Sequence, residues 1–277
     1  MNSEIREYVA GDGYRLRCRR WATAASPDAL VYLHGIESHS GWFAECAEKI
    51  MQMGIAVYAL DRRGSGMNTV SPGYCRDYRQ LVDDVLLCAQ SIKSEHRRVH
   101  LASLSWGGKL APAIDILRPG IFSTITLISP GIFSRVAPGI GEKLNIALNS
   151  LFRPLALHPI PIEDRMFTSL PKYLEYIAND PLRLRRVTAR FYFQTAMLDR
   201  FLKKMEYQWA APTQFLLAER DEIVDNRRVK EMFECLKAQP KRLKTYAGCN
   251  HSLQFERPDE VSRDIVDWIR TADAVGC

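Results

Sequence analysis

The chain has 277 residues, 47% of them hydrophobic and 25% charged, with 14 prolines. That length can bury a full core, and the composition is that of an ordinary globular protein, so a disordered or fibrous protein is excluded and one domain with an insertion is expected. The net charge of +6 attracts polyanions only weakly. The clusters Arg15, Arg17, Arg19, Arg20 and Arg183, Arg185, Arg186, Arg190 come with no nucleic-acid-binding signature, so they read as solvated faces and nucleic acid is not an expected partner.

In chain order, Met1 to Tyr8 lacks the basic start and apolar run of a signal peptide. Ile5 to Val9 and Tyr14 to Trp21 flank Gly11-Asp12-Gly13, a turn sequence that joins two strands as a hairpin. Ala29 to Leu33, Ile55 to Leu60, Val99 to Leu104 and Ile125 to Ile128 are short apolar runs, each followed by a segment of helical character. That alternation predicts a mostly parallel sheet wrapped by helices, an α/β fold opened by antiparallel strands. Tyr78, Leu81, Val82, Val85, Leu86, Ala89 and Ile92 recur at three and four residues and predict a covering helix.

After Pro130 the rhythm stops. Residues 131–209 are rich in helix-period residues, prolines and aromatics, without a strand run, and predict a helical insertion between core segments 1–130 and 210–277. Leu144, Leu148, Leu151 and Phe152 form one of its helix faces. Strands return at Gln214 to Ala218 and Arg242 to Tyr246, with a helix through Val229, Met232, Phe233 and Leu236 between them. A last helix is expected near Asp259 to Arg270. Seven cysteines, Cys18, Cys46, Cys75, Cys88, Cys235, Cys249 and Cys277, lack C-x-x-C spacing and cannot all pair, which fits reduced thiols in the cytoplasm. No stretch reaches the ~20 apolar residues of a membrane span.

The chemistry gathers at predicted strand ends. Val99 to Leu104 runs into Ser103-Leu104-Ser105-Trp106-Gly107-Gly108 and then a helix, the setting of a nucleophile elbow, where a strained turn lifts a serine hydroxyl clear of the sheet. The usual pattern is G-x-S-x-G. Ser103 stands where the first glycine belongs, so the strand-helix contact behind Ser105 is expected to be wider or its backbone displaced. A serine hydroxyl needs a base to take its proton and a carboxylate to orient that base, in the chain order serine, acid, histidine. His251 follows the last predicted strand. His96 and His100 flank a strand start at the opposite edge, His158 lies in the insertion, and His34 and His39 belong to the loop after the first parallel strand, which leaves His251 as the base. Asp221 is preferred as the acid over its neighbours Glu219, Glu222 and Asp225. An acyl-transfer intermediate needs N–H donors for its oxyanion. Trp106, after the nucleophile, and Ile36, where Gly35 allows the loop to bend, are the candidate donors.

His34-Gly35 with His39, Asp61-Arg62-Arg63-Gly64-Ser65-Gly66, the Ser105 elbow, Asp221 and His251 together resemble the monoacylglycerol lipase and lysophospholipase branch of the α/β hydrolases, and Asn179-Asp180-Pro181-Leu182 resembles a segment of its cap. The resemblance implies a serine esterase that cleaves acyl esters of glycerol, lysophospholipids or related small esters, with no metal or other cofactor. It also implies a cap over residues 131–209 that shapes an acyl pocket, and a substrate site that includes Gly35, His39 and Gly107. Ile132, Phe133, Ile140, Leu144, Ile146, Leu148, Leu151, Phe152, Leu155 and Leu157 give the cap ample apolar surface. Packing plus an acyl pocket is the preferred use for it, and transient contact with a membrane surface the other. The rival readings are a ligand-binding homologue without turnover and an acyltransferase, thioesterase or peptidase built on the same acyl-serine.

Overall fold

The computed structural model of the protein describes residues 3–22 and 26–275. The reading of Cys277 as a free thiol falls outside them. The opening pair is β1 (Glu4–Val9) and β2 (Arg15–Trp21), joined through Gly13, whose φ of 81° suits glycine. β3 (Asp28–Leu33), α1 (Ala44–Gln52), β4 (Ala56–Leu60), α2 (Tyr78–Lys93), β5 (Arg98–Leu104), α3 (Gly107–Leu117) and β6 (Ile125–Ile128) follow in the predicted alternation. The chain then leaves the sheet through α4 (Ile140–Phe152), β7 (Leu157–Pro159), α5 (Asp164–Phe167), α6 (Pro171–Asn179), β8 (Arg186–Thr188) and α7 (Ala189–Lys204). It returns with β9 (Thr213–Ala218), α8 (Asn226–Cys235), β10 (Lys241–Tyr246), α9 (Leu253–Glu256) and α10 (Pro258–Val275).

The eight sheet strands lie in the order β1-β2-β4-β3-β5-β6-β9-β10, parallel from β4 to β10 and antiparallel at the β1-β2 edge. β4, β6 and β9 are buried along their whole length, as continuous apolar runs covered on both faces should be. One face is sealed by α1 and α10 around Phe43, Ile50, Leu104 and Ile265, and the other by α2 and α3 around Leu81, Ile92, Leu101 and Ile114. α2 begins where the Asp77 side chain accepts from the Arg79 amide, a helix cap that supplies one otherwise orphaned donor with a partner. The chain moves outward from β3 to β4 and then returns to the other side of β3 as β5. Loops diverge at such a reversal, so the ends of β3 and β5 leave a crevice between them.

Three expectations need correction. The insertion is not purely helical, because β7 and β8 pair antiparallel through Leu157–Thr188, His158–Val187 and Pro159–Arg186. Its apolar surface is not mainly spent on packing. Ile132, Phe133 and Ile146 are buried, but Ile140, Leu144, Leu148, Leu151, Phe152, Leu155 and Leu157 are exposed, Ile140 and Phe152 at 81% and 78%. The second arginine cluster is not all solvated either: Arg183 is buried, donating to Glu37 and paired with Asp164.

Candidate active site

β5 ends in the elbow. Ser105 has φ 54°, a left-handed backbone that costs an ordinary residue energy, and the turn around it overdetermines that conformation. Its amide donates to Ile128 O, and its carbonyl accepts from the Gly108 and Gly131 amides. Glycines surround it at the closest approaches. A Cβ on Gly107 would lie 2.7 Å from Leu33 O and 2.9 Å from His34 O, and one on Gly131 would lie 3.1 Å from Ser105 O. The backbone contact between α3 and β3 is therefore tight, and the widening expected from Ser103 is not seen there. Ser103 keeps its place in the ladder between Leu33 and Leu127, fully buried, with a hydroxyl that finds no partner among the described residues.

His251 and Asp221 are buried together. His251 Nδ1 lies 2.8 Å from Asp221 Oδ2, while Asp221 Oδ1 accepts from the amides of Ile223 and Val224. An imidazole that donates from Nδ1 to a carboxylate keeps Nε2 as its basic nitrogen. That nitrogen is buried and meets no partner among the described residues. The Ser105 hydroxyl likewise makes no hydrogen bond among them, and such contacts often tighten only when substrate is bound. The segment after β6 touches both residues, since Ser129 Oγ donates to His251 O and the Gly131 amide donates to Ser105 O.

The other candidate acids have separate tasks. Asp225 caps α8 by accepting from the Arg228 amide, Glu219 accepts from the Gly248 amide, and Glu222 pairs with Arg165. The other histidines are also engaged: His96 with Tyr58, His100 with Thr124, and His158 with Glu142. His34 donates from Nδ1 to Gly35 O and accepts from the Arg62 amide, and its burial, with Arg62 close by, holds its pKa well below the usual histidine value.

The loop after β3 lies against the elbow, where a Cβ on Gly35 would sit 3.2 Å from Ser105 Cβ and 3.7 Å from its Oγ. Arg62 holds this loop from the core by donating to Gly35 O and Ile36 O. The Ile36 amide has no acceptor among the described residues, and neither has the Trp106 amide. Arg62 also stacks 4.8 Å from the Trp106 ring and 5.1 Å from Phe191, and burial lowers its pKa to about 10, which still leaves it charged at neutral pH. The insertion holds the rest of the loop: Arg183 binds Glu37, the Leu184 amide donates to Glu37 O, and Asp180 accepts from His39 Nε2 at 2.9 Å and from Trp42 Nε1 at 2.6 Å.

A cavity of about 560 Å³ opens on Ser105, Ile36 and Trp106, within the usual range of small-molecule sites. Its walls come from the segment after β6 (Gly131, Ile132, Phe133, Val136), from α4 (Lys143, Ile146), from Ile160 and Ile162, and from α7 and α8. Gly35, His39 and Gly107 do not line it. They act from behind, the two glycines by allowing close approach and His39 by joining its loop to Asp180. Sequence reasoning missed the bracing roles of Arg62, Ser129, Asp180 and Arg183, and missed Lys109, whose Nζ donates to both Asp199 oxygens in the cavity wall. Burial raises the Asp199 pKa, against the pull of Lys109. Only the motifs holding Arg62 and Asp180 offered a signal. Among the described residues no group of three or more potential ligands could hold a metal.

The serine aminopeptidase, S33 family model matches residues 25–258. The chain is 29% identical to a monoglyceride lipase from Homo sapiens, over 98% of this chain and 92% of that one. Among solved structures it is similar to the Paleococcus ferrophilus monoacylglycerol lipase, with a TM-score of 0.83, 20% identity and coverage of 93% of this chain and 99% of that one. It is also similar to a soluble variant of the Saccharomyces cerevisiae monoglyceride lipase in complex with a substrate analogue, with a TM-score of 0.85, 17% identity and coverage of 98% and 96%.

Proposed function

The chain belongs to the serine aminopeptidase, S33 family of α/β hydrolases, and from that premise we propose that it is a serine hydrolase that cleaves carboxylic esters of lipid-like substrates such as monoacylglycerols or lysophospholipids. The observation that carries this reading is a buried His251–Asp221 pair whose base nitrogen has no partner among the described residues, tied through the segment after β6 to a serine on a left-handed elbow. His251 Nε2 takes the Ser105 proton as the hydroxyl attacks the ester carbonyl, and the Ile36 and Trp106 amides receive the oxyanion. His251 then returns the proton to the leaving alcohol. Water repeats the sequence on the acyl-enzyme and releases the acid.

Ester rather than peptide cleavage is favoured by the cavity's charge. An aminopeptidase must receive a substrate's ammonium group, whereas Asp199 is the single acid among the lining residues and is already bound to Lys109. Replacing Ser105 by alanine is expected to abolish both ester turnover and covalent labelling by a fluorophosphonate, and turnover that survives the change refutes the assignment.

Residues 131–209 act in this reading as a cap, with its inner side walling the acyl pocket and the exposed residues of α4 meeting a lipid surface. Among the described residues no helix is long and apolar enough to cross a membrane. A cytoplasmic, peripherally membrane-associated enzyme fits these features.

A further inference from the structure

The cavity that opens on Ser105 carries unbalanced positive charge. Lys109, Lys143 and Arg228 line it, and Asp199, its one acid, has both oxygens on Lys109. Lys143 on α4 and Arg228 on α8 have no carboxylate partner among the described residues. Arg228 is nevertheless held in place. Its guanidinium lies 4.2 Å from the centre of the Phe133 ring, which rests edge-on against Tyr207 at 5.2 Å. A stacked arginine loses little freedom when it binds an anion, and its planar fork matches a phosphate or carboxylate. Both lie on the exposed side of the cavity wall, so their pull on an anion is felt most at low salt. The remaining wall, with Ile132, Val136, Ile146, Ile160 and Ile162, suits a hydrocarbon chain.

We propose that this site prefers esters carrying a second, anionic group, a phosphate or a carboxylate, which Lys143 and Arg228 hold while the ester lies at Ser105. The inference rests on the ester-hydrolase reading of that serine and adds a substrate class to it. Neutral glycerides remain substrates, at a disadvantage.

The test uses two matched pairs of esters of equal acyl length. One sets a monoacylglycerol against the corresponding lysophosphatidate, and the other a fatty acid methyl ester against the methyl monoester of a dicarboxylic acid. The wild-type protein is expected to show kcat/KM about tenfold higher for the anionic member of at least one pair at low salt. That ratio should shrink at high ionic strength, where exposed charges are screened. Preference within the first pair puts the anion on the alcohol, and within the second on the acyl chain. In the Lys143→Ala, Arg228→Gln variant the ratio should fall toward one, chiefly through KM, and Arg228→Lys alone should keep most of it. Equal or better use of the neutral esters by the wild type, or a ratio that survives the double change, overturns the inference alone. No hydrolysis of any ester and no fluorophosphonate label on Ser105 overturns the hydrolase reading, and this inference with it.

Discussion

At the scale of single residues, Ser103 and Asp221 make opposite demands. Ser103 is fully buried with a hydroxyl that has no partner among the described residues, and a buried group in that state costs roughly 1–3 kcal/mol. Ser103→Ala, which deletes only that oxygen, is expected to raise unfolding free energy by about 1 kcal/mol in a urea titration while Ser105 still labels. Asp221 and Asp225 are the second contrast. Asp221→Asn, which spoils the histidine tautomer, should lower kcat by about 10³–10⁴-fold, as loss of an orienting carboxylate does in other triads. Asp225→Ala should instead cost about 1 kcal/mol of stability through the lost cap on α8 and leave turnover near that of the wild type. Reversed outcomes would move the acid to Asp225. Much at this scale was legible in the sequence. Ser105 and His251 follow from strand ends and chain order, because topology alone puts them on one edge of a parallel sheet. Asp221 could be preferred but not separated from three acidic neighbours, since which of them faces the histidine depends on the turn made by Ile223 and Val224. Gly35, His39 and Gly107 were readable as important but not as residues standing behind the site, because a glycine's need for close approach and its exposure to substrate leave the same letter in the chain.

At the scale of elements, the loop after β3 is held from two sides, by Arg62 from the core and by Asp180, Arg183 and Leu184 from the insertion. Burial works to raise the Asp180 pKa, but the hydrogen bonds from His39 and Trp42 outweigh it and hold it below the usual aspartate value. A depressed carboxylate pKa contributes stability that is complete above the unfolded-state value near 4 and is lost as pH falls through the lower folded-state value. Asp180→Ala leaves two buried donors without an acceptor, so it should destabilise the protein by about 2–3 kcal/mol at neutral pH. Thermal unfolding of wild type and variant across pH should show that gap narrowing below about pH 4. A gap that stays constant would mean the aspartate acts through packing alone. The long elements were legible because their periodicity repeats over several turns or a full strand. β7 and β8 were not, because three-residue strands, one of them ending in Pro159, are too short to show an alternation. Arg183 escaped for a related reason: its charge is matched by Glu37, far away in sequence, and charge pattern along one segment cannot reveal a partner in another.

At the scale of the whole molecule, the outward side of α4 and the chain after it stands out. Ile140, Leu144, Leu148, Leu151, Phe152, Leu155 and Leu157 are all exposed, mostly three or four residues apart, an outward apolar stripe of a kind that soluble surfaces usually avoid. The sequence revealed the helix face through its spacing but not which way it points, since an inward and an outward stripe share one period. Leu148→Gln combined with Phe152→Gln should weaken sedimentation with phosphatidylcholine–phosphatidylserine vesicles by about tenfold, each apolar side chain contributing on the order of 1–2 kcal/mol when buried in lipid. Because both residues are solvated in the free protein, the thermal midpoint should barely move. Unchanged sedimentation would show that the stripe does not meet lipid.

How α4 is attached has one more consequence. It packs against α7 through Ile146, and among the described residues its side-chain hydrogen bonds to the rest of the fold converge on one residue, His158, which binds Glu142 at one ring nitrogen and Asn149 at the other, while the loop beside Ser105 is braced by residues 180–184 and by Arg62. The helix is thus an exchangeable part. A segment of equal length that keeps Glu142, Lys143, Ile146 and Asn149 could be transplanted from another protein to reshape the entrance, without rebuilding the surroundings of Ser105, Asp221 and His251.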